Sequence, residues 1–105
     1  MVIKVELAIF DLAVFFFIGE DEKKNFLKQT GKDASVLDDC DGFNSFNAVW
    51  LANMKRIGVI VHEAHHVTST ICDLIGVEDE ETKAYIIGYL VNELLKKYTR
   101  KAKQQ

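Results

Sequence analysis

A single α+β domain, with a small, mainly antiparallel sheet from the N-terminal half packed against two C-terminal helices, is the fold class that three features of the sequence predict. Apolar side chains alternate at period two over the first ten residues, the signature of a half-buried strand. From about Lys55 onward the apolar positions recur at helical spacing, interrupted at Gly76. The chain has 105 residues, 49% of them hydrophobic and 28% charged, with no Pro, which suits one globular core and excludes collagen-like, low-complexity and largely disordered chains. Residues 1–98 are expected to form the domain, and residues 99–105 a basic, frayed tail.

Val2 to Phe10 reads as the first strand, with Ile3, Val5, Leu7 and Ile9 on one face and Lys4, Glu6 and Phe10 on the other. Asp11 breaks it. Leu12 to Ile18 (LAVFFFI), β-branched and aromatic up to Gly19, predicts a second strand or a continuation after a bend. Its three Phe residues read as core, and in a strand Phe16 faces away from Phe15 and Phe17 and needs cover of its own. Glu20, Asp21 and Glu22 ahead of Lys23, Lys24 and Lys28 predict a short helix with acids at its positive end, closed by Gly31. Residues 30–45 (TGKDASVLDDCDGFNS), rich in turn formers, read as one long loop; its aspartates lack the frame and closing Glu of an EF-hand. Phe46 to Leu51 (FNAVWL) predicts another strand. A helix from about Lys55 to Ile75 follows, then a last helix from the acids Glu78 to Glu81 to about Tyr98, with Ala84, Tyr85, Ile87, Gly88, Val91, Leu94 and Leu95 as its apolar stripe.

The net charge of −3 conceals an asymmetry: five of the 13 bases lie in residues 96–105, so the preceding residues carry eight bases against 16 acids, a net −8. An acidic body argues against phosphate-dominated nucleic-acid binding. Cys40 and Cys72 lack CxxC spacing and signal neither a disulfide framework nor a thiolate metal site, so reduced thiols and a cytoplasmic location are expected. The apolar stretch from Leu7 to Ile18 is interrupted by Asp11 and falls short of a membrane span or an export signal.

All three histidines fall in the string His62-Glu63-Ala64-His65-His66, an HExxH pattern. On a helix, positions i and i+4 stack on one face, so His62 and His66 can present two imidazoles to one Zn2+, while Glu63 lies to the side where a water on the metal would sit. Glu63 then serves as general base and the metal as Lewis acid. The apolar run Ile57 to Val61 leading into the pattern predicts a mostly buried helix, where unpartnered histidines would be costly.

For a third ligand, the acidic start of the last helix offers Glu81, with Glu80 as the alternative; the small Ala84 and Gly88 are expected to let this helix approach the histidine helix closely. His65 reads as a flanking polar residue or substrate contact. Asp73, on the same helical face as His66, reads either as a carboxylate orienting an imidazole or as a plain surface group. Tyr85, in preference to Tyr89, is the candidate hydroxyl for an oxyanion, with a core role as the alternative.

These residues resemble the gluzincin branch of zinc metallopeptidases, in which a helical HExxH is followed by a Glu from a second helix. The chain is similar almost from end to end to the very small metallopeptidases encoded by bacteriophages and prophages, on the strings Asp41-Gly42, Val49-Trp50-Leu51, His62 to His66 and Glu81 to Leu90. The resemblance implies zinc, a minimal α+β scaffold, a hydrolase acting on a peptide or protein substrate, and the host-cell cytoplasm as its location. Fourteen residues separate His66 from Glu81, which leaves little chain for a specificity pocket. The alternative function is therefore a phage protein that keeps the metallopeptidase-like scaffold and binds and inhibits a host or defence protein. Neither nucleic acid nor membrane is expected as a partner.

Overall fold

In the computed structural model, which describes residues 1–104, the predicted alternation is realised in β1 (Val2–Leu7), whose Ile3, Val5 and Leu7 are buried. β1 pairs antiparallel with β2 (Leu12–Ile18), Val2 lying opposite Phe17 and Leu7 opposite Leu12. The first strand stops three residues earlier than its pattern predicts. Ala8–Phe10 form a 3-10 turn closed by Asp11 at φ 54°, and this hairpin turn carries Ile9 out into solvent, 87% exposed.

After β2 the chain forms a 3-10 turn over Glu20–Glu22 and then α1 (Lys23–Thr30), which ends at Gly31 as predicted. Residues 30–45 are not one loop. They contain a 3-10 turn, Ala34–Leu37, and a short strand, β3 (Gly42–Ser45), which pairs antiparallel with β4 (Ala48–Leu51). Phe46, read as strand, instead sits in the β3–β4 turn at φ 54°. β3 is made of Gly, Phe, Asn and Ser, whose strand propensity is low on balance, so it exists by pairing with β4 rather than by local preference. β4 also pairs in parallel with β2, giving a four-stranded, mostly antiparallel sheet in the order β1-β2-β4-β3. With its two C-terminal helices, this makes the chain an α+β protein.

The pleat divides the core in two. Ile3, Val5, Leu7, Val14, Phe16, Ile18, Val49 and Leu51 face α2 (Ile57–Ile75) and α3 (Glu80–Lys103). Phe17, Ala48 and Trp50 face the other way, under Phe26 of α1 and Leu37. Phe16 thus receives the separate cover that a run of three Phe residues demands. On the α1 side Phe26 stacks edge-on against both Phe17 and Phe43, and the Trp50 indole N–H donates to the Gly19 carbonyl at 2.9 Å.

α2 starts at Ile57 and is stopped at Gly76, whose φ of 80° a residue with a Cβ adopts only under strain. α3 begins at the N-cap Asp79, which accepts from the Thr82 N–H. Two expectations for α3 are corrected. Ile86, Leu90 and Leu94 are its buried residues, whereas Ala84, Tyr85 and Gly88 point outward; the stripe is rotated, and nothing lies within 4 Å of where a Gly88 Cβ would be. Nor does the helix fray at Tyr98: it continues to Lys103, with two of its lysines bonded to β1. Lys101 and Lys97 donate to the Val2 and Lys4 carbonyls at 2.6 and 2.9 Å, and Tyr89 to the Glu6 carbonyl at 3.3 Å, which caps the free edge of β1. Among the described residues no helix is long and apolar enough to cross a membrane.

Candidate functional site

α2 packs on β3 and β4, while α3 packs on β1 at the opposite end of the sheet. Steps of one helical turn along α2 bring Val59 and Glu63 under β3, and His62 and His66 onto the exposed flank beside them. At this point β3 approaches α2 closely: a Cβ on Gly42 would lie 3.0 Å from both Glu63 Cγ and Val59 Cγ1, tighter than an ordinary contact, so a larger residue there would push on both side chains. Two residues on, Asn44 lies on the same face of the strand and donates from Nδ2 to Glu63 Oε1 at 3.3 Å.

Glu63 is the one charged side chain in the buried set of the described residues, only 4% exposed, and its Oε2 is buried with no hydrogen-bond partner. An unsatisfied buried carboxylate oxygen is costly, by about 1–3 kcal/mol or more, so it calls for a partner from water, an ion or a bound molecule. A cavity of about 410 Å³ opens beside it, lined by Asp41, Gly42, Arg56, Gly58, Val59, His62 and Glu63. At its mouth the Arg56 guanidinium donates to the Asp41 carboxylate.

The two histidines meet as their spacing predicts. His62 Nε2 and His66 Nε2 are 3.1 Å apart, with ring centroids 4.5 Å apart, and both rings are exposed. A tetrahedral ion with Zn–N bonds of about 2.0–2.1 Å spans two nitrogens roughly 3.3–3.4 Å apart, so the pair matches a zinc edge to within a few tenths of an ångström. Two imidazole donors at this spacing fit one edge of a zinc tetrahedron.

The structure does not bring the third candidate to them. Glu81 and Glu80 are exposed in the first turn of α3, the cavity contains no α3 residue, and among the described residues no group of three or more His, Cys, Asp or Glu is disposed to hold a metal ion. The cause is topological: α3 covers β1, at the far end of the sheet from β3. Tyr85, 77% exposed, lines a groove with the β1–β2 turn instead, and Tyr89 also serves β1. His65 flanks the site, its ring 5.7 Å from that of His66. Asp73 is exposed and, among the described residues, hydrogen-bonds to neither imidazole.

Asp41, Gly42, Asn44 and Arg56 complete the site without standing out in the sequence as functional. Of these, the Asp41-Gly42 pair is one of the strings that carry the family resemblance. Gly42 and Asn44 acquire meaning once the segment is paired as a strand, with both on one face. Comparison with known protein families, curated proteins and solved structures finds no match.

Proposed function

We propose that the protein is a zinc-dependent hydrolase of peptide or amide bonds, with His62 and His66 holding the metal and Glu63 as general base. The observation that carries this reading is the buried, partnerless Glu63 Oε2 beside two imidazole nitrogens at a zinc-ligand spacing. Zinc, when bound, supplies Lewis acidity toward a substrate carbonyl and eases the ionisation of water. Glu63 takes a proton from the attacking water as its oxygen adds to the carbonyl carbon, and returns it to the amine nitrogen as the C–N bond breaks. Asn44, bonded to the other carboxylate oxygen, holds Glu63 in place for both transfers.

A peptide is favoured over a small amide by the sheet edge beside the cavity. The Ala52 N–H donates to the Asp41 carbonyl at 2.9 Å, and the alternation of antiparallel pairing then turns the backbone N–H and C=O of Gly42 and Asn44 outward. β1 has its edge capped by α3 side chains, whereas these groups of β3 are offered to an extended chain passing the cavity.

One observation favours the second reading, a metallopeptidase-like phage protein that binds and inhibits another protein: among the described residues no third protein ligand joins the two histidines, whereas catalytic zinc sites commonly have three. Glu63→Gln decides between them. The hydrolase reading expects retained zinc with turnover reduced at least about a hundredfold, the low end of general-base contributions. Turnover that survives the substitution contradicts the mechanism, and partner binding that survives it, with no turnover in the wild type, supports the second reading.

A further inference from the structure

We propose that the cavity beside Glu63 is a subsite for the free α-carboxylate at the C-terminus of a peptide, so that the substrate class is a peptide cut near its C-terminal end. This inference rests on the hydrolase reading and specifies its substrate. Three features of the cavity place anion-binding groups at one end. Arg56 is the one Lys or Arg in its lining. Arg56 is also the N-cap of the 19-residue α2 and makes no side-chain cap bond; the first amide satisfied from the cap carbonyl is that of Val59, at 3.1 Å. The earlier amides of the first turn, with the positive end of the helix dipole, therefore face outward. Gly58 leaves that end uncovered, since a Cβ there would meet nothing within 4 Å.

The independent observation lies at the other end of the same cavity. Glu63 lines it and has a carboxyl oxygen buried without a protein partner, and as the general base of the proposed reaction it takes a hydrogen bond from the ligand. The site therefore calls for a ligand carrying an anion at one end and an N–H donor a short distance away. The last residue of a peptide has that pattern: a carboxylate, one Cα, and the amide N–H that becomes the leaving amine. The two carboxylates already present, Asp41 and Glu63, leave room for this. Asp41 holds Arg56 through an ion pair whose partners are 54% and 69% exposed, a type of pair worth little in water and readily exchanged for a ligand carboxylate.

The test is a titration of the full chain, with and without zinc, followed by amide resonances. Three N-acetylated tripeptides serve as probes: one with a free carboxylate, the same sequence as a carboxamide, and a carboxamide with Glu as its last residue. The free carboxylate should bind about tenfold or more tighter than either carboxamide and shift the Ile57 and Gly58 amide resonances. Arg56→Met, at an exposed position where folding is not at risk, should erase that preference, and Asp41→Asn should strengthen it. Equal affinity for acid and amide, a preference that survives Arg56→Met, or tightest binding by the Glu carboxamide would overturn the proposal. A chain that prefers the free carboxylate but cleaves nothing loses the hydrolase reading and keeps this subsite; one that cleaves acid and amide at equal kcat/KM loses the subsite and keeps the hydrolase reading.

Discussion

Replacing Gly42 with Ala probes the contact that seats β3 on the Glu63 helix. The added Cβ would lie 3.0 Å from Glu63 Cγ, 3.0 Å from Val59 Cγ1 and 3.4 Å from Glu63 Cδ. Carbon pairs are at their optimum near 3.5–4.0 Å, so the neighbours must retreat by roughly half an ångström. Neither does so freely. Val59 is β-branched on a helix and has essentially one χ1 available, and Glu63 is buried and bonded to Asn44. Overpacking of this kind costs about 1–3 kcal/mol, and the loss of unfolded-state entropy on going from Gly to Ala returns about 0.4–1, leaving a net destabilisation of roughly 1–2 kcal/mol. At about 4–8 °C per kcal/mol for a domain near this size, Tm should fall by roughly 4–16 °C in a thermal melt followed by circular dichroism. Adding Val59→Ala opens space at Cγ1, so the double variant should lose less than the sum of the two singles. A Gly42→Ala protein that melts at or above the wild-type temperature, or strictly additive losses in the double variant, would refute the close-approach argument.

Other consequences follow from the same packing. Phe16→Ala removes a fully buried ring from under α2 and α3 and should cost about 3–5 kcal/mol, enough to leave the chain largely unfolded in urea titrations, whereas Ile9→Ala in the exposed hairpin turn should stay within about 0.5 kcal/mol of wild type. Gly88→Ala fills an open position in the middle of α3 and should raise stability by about 0.8–1 kcal/mol, read as a higher urea midpoint. Asp79 accepts from the Thr82 N–H at 2.9 Å and from its hydroxyl at 2.7 Å, which holds its carboxyl below the usual range. Its contribution is therefore present above about pH 4 and lost as pH falls through the folded-state value, so melting curves of wild type and Asp79→Ala should separate at neutral pH and converge in acid.

Much of the scaffold was legible because its signals are local. Period-two alternation marked β1, the aromatic run marked β2, and Gly31 and Gly76 marked helix ends that the structure places where they were read. What sequence reasoning missed depends on contacts distant along the chain. β3 has a strand conformation only because β4 pairs with it, and Ile9 leaves the β1 face because a hairpin turn intervenes. The buried stripe of α3 lies two positions away from the small residues Ala84 and Gly88, since packing on β1 selects Ile86, Leu90 and Leu94. The same long-range placement governs the site. The spacing of His62 and His66 is a property of one helix and was readable, whereas the distance between that pair and Glu81 depends on which end of the sheet α3 covers. Asn44 and Arg56 come to Glu63 and its cavity through a strand and a helix start that carry no motif.

The central claim is that the His62 and His66 imidazoles form a zinc site served by Glu63. Elemental analysis of zinc per chain, on wild type, His62→Ala and Glu63→Gln reconstituted side by side, tests it most directly. About one zinc is expected in wild type and in Glu63→Gln and none in His62→Ala. Wild type that stays free of zinc after reconstitution, or His62→Ala that holds as much as wild type, would contradict it.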